Sequence, residues 1–292
     1  MQNRLLLRAD PGFNRRVVGH LSRAQELYPV RLHAVVVMGS HLHVLATHPD
    51  PEVMAGFHCH WNTNLSKEVG RHCGWSGTVF PNRYHAIELS DEPEIERARL
   101  KYLLANGVKE GLVGSPLDWP GVSSAKALTT GEPLRGEWID RTAYRRAKDR
   151  GESVSLRDFT YEREVHLVPL PSLAHLSPAA FRATIRDLIE EVEAEGRAMH
   201  KRNGTRPLGV AAVLARDPES RPMQVERRPC PWFHVLDPEL RKALYAALTW
   251  VTVQYREAAE RLKAGDRNAR FPLHTFASSL GFVREVELVE PG

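Results

Sequence analysis

Hydrophobic residues recur every three or four positions in five stretches of the chain, which is the spacing of one face of an α-helix. Some of these stretches also carry boundary signals. The second has Pro51 in its first turn and ends before Gly74, because proline suits a first turn and glycine a C-terminal cap. The predicted helices cover residues 11–28, 51–73, 91–107, 177–204 and 237–266.

Two neighbouring stretches are apolar and β-branched instead, as strands are. They cover residues 30–38 and 41–47 and flank Gly39-Ser40, where a leading glycine is what a type II′ turn requires. A β-hairpin is therefore predicted, with a register that the tight turn fixes. In that register Ala34, Val36 and Met38 lie opposite Leu45, His43 and His41, respectively.

A third strand is predicted over residues 84–90, where polar and apolar side chains alternate. The order from residue 11 onward is then helix, strand, strand, helix, strand, helix. This is most of a ferredoxin-like βαββαβ unit with one appended helix, in the α+β class. Residues 115–171 show no sustained period and are expected to wrap the core without forming a layer of it. A proline-rich run at 166–178 marks the expected boundary with a helical C-terminal extension.

The composition is that of a globular chain with one extended domain or two domains. Its three cysteines are odd in number and widely spaced, which argues against a secreted disulfide scaffold and for the reducing cytoplasm. No apolar run is long enough for a signal peptide or a membrane span, so no membrane partner is expected. The net charge of +4 slightly favours polyanionic partners. Basic residues gather in 140–151 and 195–209, although solvated helix faces are the more common explanation of such runs.

Two histidines stand out in the second predicted strand. Residues two apart on a strand project to the same face, so His41 and His43 stand side by side and could hold a cation. His33 falls on the other face and His48 is out of phase, which makes both poor candidates for the same site. A hydrogen-bonded surface pair without a metal is the alternative interpretation of His41 and His43.

A tyrosine and an asparagine share one side of the third predicted helix. Tyr102 and Asn106 are four residues apart, and the leucine stripe of the helix points to the opposite side. Tyr102 is therefore not simply part of that stripe, although a half-buried structural tyrosine is an alternative. The leucines of the stripe are Leu100, Leu103 and Leu104.

Several motifs together resemble a known family. They are "MGSHLHVLAT", "FHCHWNTNLSKEVGRHCG", "GTVFPNRYHAIEL", "LKYLLANGVKEGLV" and "PLDWPGVSS", and they follow one another in unbroken order over roughly residues 4–130. This arrangement resembles the single-tyrosine HUH transposases, specifically the REP-associated tyrosine transposase group. The resemblance implies an HUH nuclease domain over 1–130, a wrapping segment or linker over 131–174 and a helical extension over 175–292.

The resemblance also implies a site. His41 and His43 would be the metal-binding pair, Tyr102 the nucleophile and Asn106 the third polar metal ligand, with Mg²⁺ or Mn²⁺ as cofactor. Attack by Tyr102 on single-stranded or hairpin DNA would leave a 5′-phosphotyrosine and a free 3′-hydroxyl. A homodimer is a further expectation. Two nearby basic side chains, Arg83 and Lys101, are candidate phosphate contacts, and a solvated charge is the alternative for each.

Three other interpretations compete with this one. A protein of the same fold could bind hairpin DNA without cutting it. A metal-dependent hydrolase could use His41 and His43 while Tyr102 is only structural. A zinc site built from "FHCH" and "RHC" is excluded, because Cys59 and Cys73 lie about 21 Å apart along one predicted helix.

Overall fold

A computed structural model describes residues 4–221, 231–273 and 275. The chain has mixed α+β content. Its helices in the described part are α1 (Pro11–Leu27), α2 (Pro51–Cys73), α3 (Pro93–Leu104), α4 (Asn106–Lys109), α5 (Ala125–Thr130), α6 (Arg141–Asp149), α7 (Pro178–Asn203), α8 (Val210–Leu214) and α9 (Pro238–Lys263). Its strands there are β1 (Arg31–Val37), β2 (Leu42–Thr47), β3 (Glu88–Leu89), β4 (Leu134–Ile139), β5 (Thr160–Val165) and β6 (Phe233–His234).

The chain divides into two compact units. The larger unit contains Met1–Ala86 and Pro93–Cys230, and the smaller contains Ile87–Glu92 and Pro231–Gly292. This division differs from the expected start of a separate extension near residue 175, because α7 lies within the larger unit. No helix in the described part of the chain combines the length and the apolar composition that a membrane span needs.

The boundaries of the long helices follow the signals in the sequence. Helix α2 starts at Pro51 after Asp50, whose carboxylate accepts a hydrogen bond from the Val53 N–H at 2.9 Å. It ends at Gly74, which adopts a left-handed conformation with φ of 66°. An N-terminal acceptor and a left-handed glycine satisfy the backbone groups that a helix leaves unpaired at its ends. The predictions for α1, α2, α7 and α9 are confirmed to within a few residues.

The predicted hairpin is confirmed, register included. Strand β1 pairs antiparallel with β2, and Val36 lies opposite His43. The Met38 N–H donates to the His41 carbonyl at 2.8 Å, which closes the turn. The prediction of a type II′ turn is wrong, because Gly39 does not have a positive φ. Gly39 is instead closely packed, since a Cβ there would lie 3.0 Å from the end of the Leu5 side chain, which would have to shift slightly.

A ferredoxin-like sheet is not confirmed. The described strands form three two-stranded sheets, β1–β2, β3–β6 and β4–β5. The strand predicted over 84–90 shortens to β3 and pairs in parallel with β6 in the smaller unit. The edge of β1 that does not face β2 is hydrogen-bonded by irregular segments. The Val37 N–H donates to the Val122 carbonyl at 2.8 Å, and the Val168 N–H donates to the Leu32 carbonyl at 2.8 Å. These segments occupy the edge that a further strand would need.

The antiparallel pair β4–β5, whose strands are connected through α6, was not expected from the sequence. It packs on α1, where Gly19 and Gly136 bring the helix and strand backbones together. Ile139 and Val165, at the ends of the two strands, are buried. The segment predicted to wrap the core therefore contributes a layer of it.

Strand β1 separates two hydrophobic clusters. Leu32, Val35 and Val37 pack with α1 and α2 on one side. Ala34, Val36 and Met38 pack with α3 and α7 on the other. Burial on both faces explains the almost unbroken apolar sequence of β1.

In the larger unit Glu68 of α2 is a buried carboxylate surrounded by cations. It accepts hydrogen bonds from Arg71 at 2.6 Å and Arg141 at 3.2 Å, and the His20 ring lies 3.4 Å away. Burial alone would raise the pKa of Glu68, but the bonds from His20 and Arg141 lower it to about 2. The network ties α1, α2 and α6 together.

We expect this carboxylate to make stability depend on pH in acid. Its folded pKa of about 2 lies below the ordinary value of 4.5, so its stabilisation is complete above pH 4.5 and is lost as the pH falls toward 2. The shift corresponds to ~3 kcal/mol. The free energy of unfolding, measured by denaturant at a series of pH values over this range, should fall less on acidification in Glu68→Gln than in the wild type. The variant has already lost this stabilisation at neutral pH. Parallel acid profiles for the two proteins would contradict the assignment.

We expect Gly19→Ala to destabilise the larger unit by about 3 kcal/mol or more, because overpacking against backbone cannot relax by side-chain rotation. The added Cβ would overlap the Glu137 carbonyl and lie 2.6 Å from the Trp138 nitrogen. Gly114→Ala is the matched control, since its nearest neighbour would be Pro207 at an ordinary 3.9 Å. Thermal unfolding of both variants measures the difference, and equal melting temperatures would disprove the close approach.

Candidate functional site

The hairpin presents His41 and His43 side by side. Their ring centroids lie 5.0 Å apart with the ring planes at 75°. The Nδ1 atom of His41 lies 3.0 Å from the Ser40 hydroxyl, so its Nε2 atom is directed toward Glu110, whose carboxylate is 3.8 Å away. His33 is buried and contacts the Thr47 hydroxyl and the Val168 carbonyl. The register of β1 shifts between Leu32 and Ala34, so the strict alternation that assigned His33 to the opposite face does not hold at this position.

Helix α3 brings Tyr102 to the histidine pair. The Tyr102 ring lies 5.7 Å from the His43 ring in an edge-to-face arrangement. The three leucines of the predicted stripe are buried at 2–4% exposure, whereas Tyr102 is 42% exposed. The phenol is therefore accessible from solvent and held beside an imidazole.

Asn106 lies beneath these side chains and is fully buried. Its Nδ2 atom donates to the carbonyls of Tyr102 and Leu103, each at 3.0 Å, which fixes the orientation of the amide. Its Oδ1 atom is buried and makes no hydrogen bond of good geometry within the described residues. The side chain lies close enough to His41 to favour the protonated imidazole. A buried acceptor without a donor is costly, so this oxygen is suited to a cation.

The structure adds charged residues that the sequence did not single out. The Lys109 ammonium lies 3.8 Å from the centroid of the Tyr102 ring, and the Arg99 guanidinium carbon lies 5.6 Å from it. Arg99 lies three positions before Tyr102 and Lys109 lies seven positions after it. Both are at helical spacing, so periodicity could have found them. Glu110 is brought to the site by the turn after α4, and no pattern in the sequence indicated that position. The site thus combines a phenol, two imidazoles, two cations and one carboxylate.

Both imidazoles favour the neutral form. Desolvation by burial lowers the pKa of His41. Burial, followed by the neighbouring His41 and Lys109, lowers the pKa of His43 to about 4. A neutral imidazole has the free lone pair that a metal needs.

The donor set fits a divalent cation. Within the described residues no group of three or more His, Cys, Asp or Glu side chains is arranged to hold a metal ion. The two imidazoles are joined here by an amide oxygen, the buried Oδ1 of Asn106, with the Glu110 carboxylate near His41. Amide and carboxylate oxygens suit Mg²⁺ and Mn²⁺, whereas imidazoles favour Zn²⁺, Ni²⁺ and Cu²⁺, so this donor set does not by itself select the metal.

The two predicted phosphate contacts have different environments. Lys101 forms ion pairs with Glu191 at 2.9 Å and Glu195 at 2.7 Å on α7, and the hydrogen bonds that it donates to Glu195 and Glu191 raise its pKa. It therefore holds α7 against α3. Arg83 is exposed in the loop after α2, next to Tyr84, whose ring stacks on His58 at 4.2 Å.

Comparison with protein-family models, with curated proteins and with solved structures yields no match to this chain.

We expect the metal-free protein to bind Mn²⁺ and His43→Ala to weaken binding by at least about tenfold, since one imidazole ligand is lost. Because its pKa is lowered to about 4, His43 stays neutral and able to bind below pH 6.5, where an ordinary histidine is mostly protonated. Electron paramagnetic resonance of free Mn²⁺ gives the dissociation constant. His166→Ala is the control, because that ring is 72% exposed and lies 3.6 Å from the Glu164 carboxylate. Equal affinities in both variants would remove His43 from the site.

Proposed function

We propose that this chain is a single-stranded DNA endonuclease and strand transferase of the HUH type, which cuts and rejoins hairpin-bearing DNA through Tyr102. One observation carries the proposal: the exposed phenol of Tyr102 lies against His43, and the buried side chain of Asn106 lies beside His41. The fold that we propose with it is a ferredoxin-like core, of which the β1–β2 hairpin and α3 are the parts that carry the site.

The chemistry of the proposal begins at the Tyr102 oxygen. It attacks the phosphorus of the scissile phosphodiester, a P–O bond to Tyr102 forms and the bond to the 3′ oxygen breaks. The phenolic proton leaves to solvent, and the departing 3′ oxygen takes up a proton. The products are a 5′-phosphotyrosine and a free 3′-hydroxyl.

Cations around the phenol support this role. A phenol with an ordinary pKa of about 10 is a weak nucleophile at neutral pH. The Lys109 ammonium over the Tyr102 ring, with Arg99 on the same ring, favours negative charge on the oxygen during attack. The same two cations attract the phosphate that approaches the phenol.

His41, His43 and Asn106 would hold a divalent cation, with Glu110 adding one negative charge near His41. When bound, such a cation supplies Lewis-acid polarisation of a nonbridging phosphate oxygen. The protein fixes the ligands beforehand: Ser40 orients His41, and two helix carbonyls orient Asn106. Rejoining is the reverse displacement, in which a 3′-hydroxyl attacks the phosphotyrosine, so no external energy source is required.

We expect Tyr102→Phe to abolish the covalent adduct while hairpin binding and stability persist, because one hydroxyl is lost and almost no volume. Protein incubated with end-labelled hairpin DNA and Mn²⁺, then denatured, shows the adduct as a labelled band, and peptide mapping locates it. Tyr161→Phe is the matched control: Tyr161 is also 42% exposed but stacks on Trp138 in place of a histidine.

An adduct that survives Tyr102→Phe would refute the nucleophile. Hairpin binding without an adduct under any divalent cation would favour a DNA-binding protein that does not cut. Metal-dependent cleavage without an adduct would indicate a hydrolase in which Tyr102 is structural.

A further inference from the structure

A second cluster of charged residues lies on the larger unit, away from the residues of the candidate site. It lines a concave surface of about 220 Å³ formed by the first turns of α1, the last turns of α2 and strand β4. Its charged lining includes Arg15, Arg16 and Arg71 together with Glu68 and Glu137. We call this surface the arginine pocket.

Two carboxylates hold the arginines in place. Glu137 on β4 lies 2.9 Å from Arg16 and 3.5 Å from Arg15. Glu68 holds Arg71 and, from the start of α6, Arg141. A third carboxylate, that of Asp10, lies 3.8 Å from the His72 ring in the lining. Four guanidinium groups against three carboxylates leave an excess of one positive charge.

Burial separates the two signs of charge. The side chain of Glu68 is only 6% exposed, whereas those of Arg71 and Arg15 are 43% and 63% exposed. A ligand at this surface therefore meets guanidinium groups first. Each guanidinium has five N–H donors, and the carboxylates engage only some of them. The remaining donors are available in a geometry that the ion pairs have already fixed.

The chemistry of the pocket favours a phosphodiester. Guanidinium groups match the paired nonbridging oxygens of a phosphate and bind them with two parallel hydrogen bonds. The volume lies below the ~300–1,000 Å³ of sites for drug-sized ligands, as suits a single phosphate group of a longer polymer.

Helix α6 extends the positive surface. Arg145 lies one helical turn after Arg141 and is exposed, as are Arg146 and Lys148. These residues form most of the basic run at 140–151. Successive phosphates of a polymer that leaves the pocket along α6 would lie next to these cations. A free phosphate ion would contact only the pocket.

We propose that the arginine pocket and α6 bind the phosphodiester backbone of DNA, as a site additional to His41, His43 and Tyr102. The choice of DNA rests on the proposed function. The site contributes sequence-independent affinity and positions the hairpin while Tyr102 acts on a separate phosphate.

The test uses Arg15→Gln and Arg71→Gln in the full chain. Fluorescence anisotropy with labelled hairpin DNA over a series of NaCl concentrations gives the slope of log affinity against log salt. Each variant should flatten the slope by about 0.7, the contribution of one phosphate contact to a single strand, and weaken binding about three- to tenfold. Arg71 also pairs with the buried Glu68, so Arg71→Gln alone would not separate lost DNA contacts from lost stability. Arg15→Gln is included because Arg15 does not contact that carboxylate.

Arg197→Gln is the matched control. It removes the same charge from a residue 70% exposed and 3.6 Å from Glu193, which resembles Arg15 at 63% exposure and 3.5 Å from Glu137. We expect it to keep the wild-type slope. If the pocket variants also keep that slope, or change it only as Arg197→Gln does, the arginines are structural and the proposal is overturned. If inorganic phosphate binds the pocket as tightly as the hairpin does, the ligand is a small anion and the proposal is likewise overturned.

Adduct formation separates this proposal from the nuclease proposal. At saturating hairpin DNA the pocket variants should still form the Tyr102 adduct. A protein that forms no adduct but shows the expected slope changes would refute the nuclease and leave the pocket as a DNA-binding site. A protein that forms the adduct, but whose pocket variants keep the wild-type slope, would support the nuclease and overturn the pocket as a DNA-binding site.

Discussion

The structure of the larger unit depends on a strand that is buried on both faces. Strand β1 packs against α1 and α2 on one side and against α3 and α7 on the other. Its backbone is paired with β2 along one edge and with the segments near Val122 and Val168 along the other. A one-residue slip would turn both sets of side chains to the wrong face, so the register is strongly fixed. That register places His43 opposite Val36, and with it the whole candidate site.

The site itself is a balance of burial and charge. Burial keeps both imidazoles neutral, and two cations lie on the face of the one exposed phenol beside them. The fully buried amide of Asn106 is oriented by carbonyls of the helix that carries Tyr102. The proposed nucleophile and the proposed metal ligands are thus positioned by secondary structure, as a preorganised site requires.

Local signals in the sequence were enough for the long helices, the hairpin and the two pairs His41/His43 and Tyr102/Asn106, whereas the grouping of the two pairs into one site was implied by the resemblance to the transposases. Those features depend on caps, periodicity and a single tight turn. The rest depends on distant partners. The alternation at 84–90 could not reveal that its pairing strand is β6, nor could "LRGEWI" in β4 reveal that Gly136 meets α1. Lys101 faces carboxylates about ninety positions away in α7, which no local pattern indicates.

The contact between Gly19 and Gly136 has a meaning beyond packing. Arg15 and Arg16 are carried by α1, and Glu137, which holds them, is carried by β4. With no side chain between the two backbones, helix and strand behave as one body, and the spacing of the charges is set by backbone geometry. Gly19 and Gly136 therefore determine the spacing of the charged groups on that surface, although neither residue carries a charge.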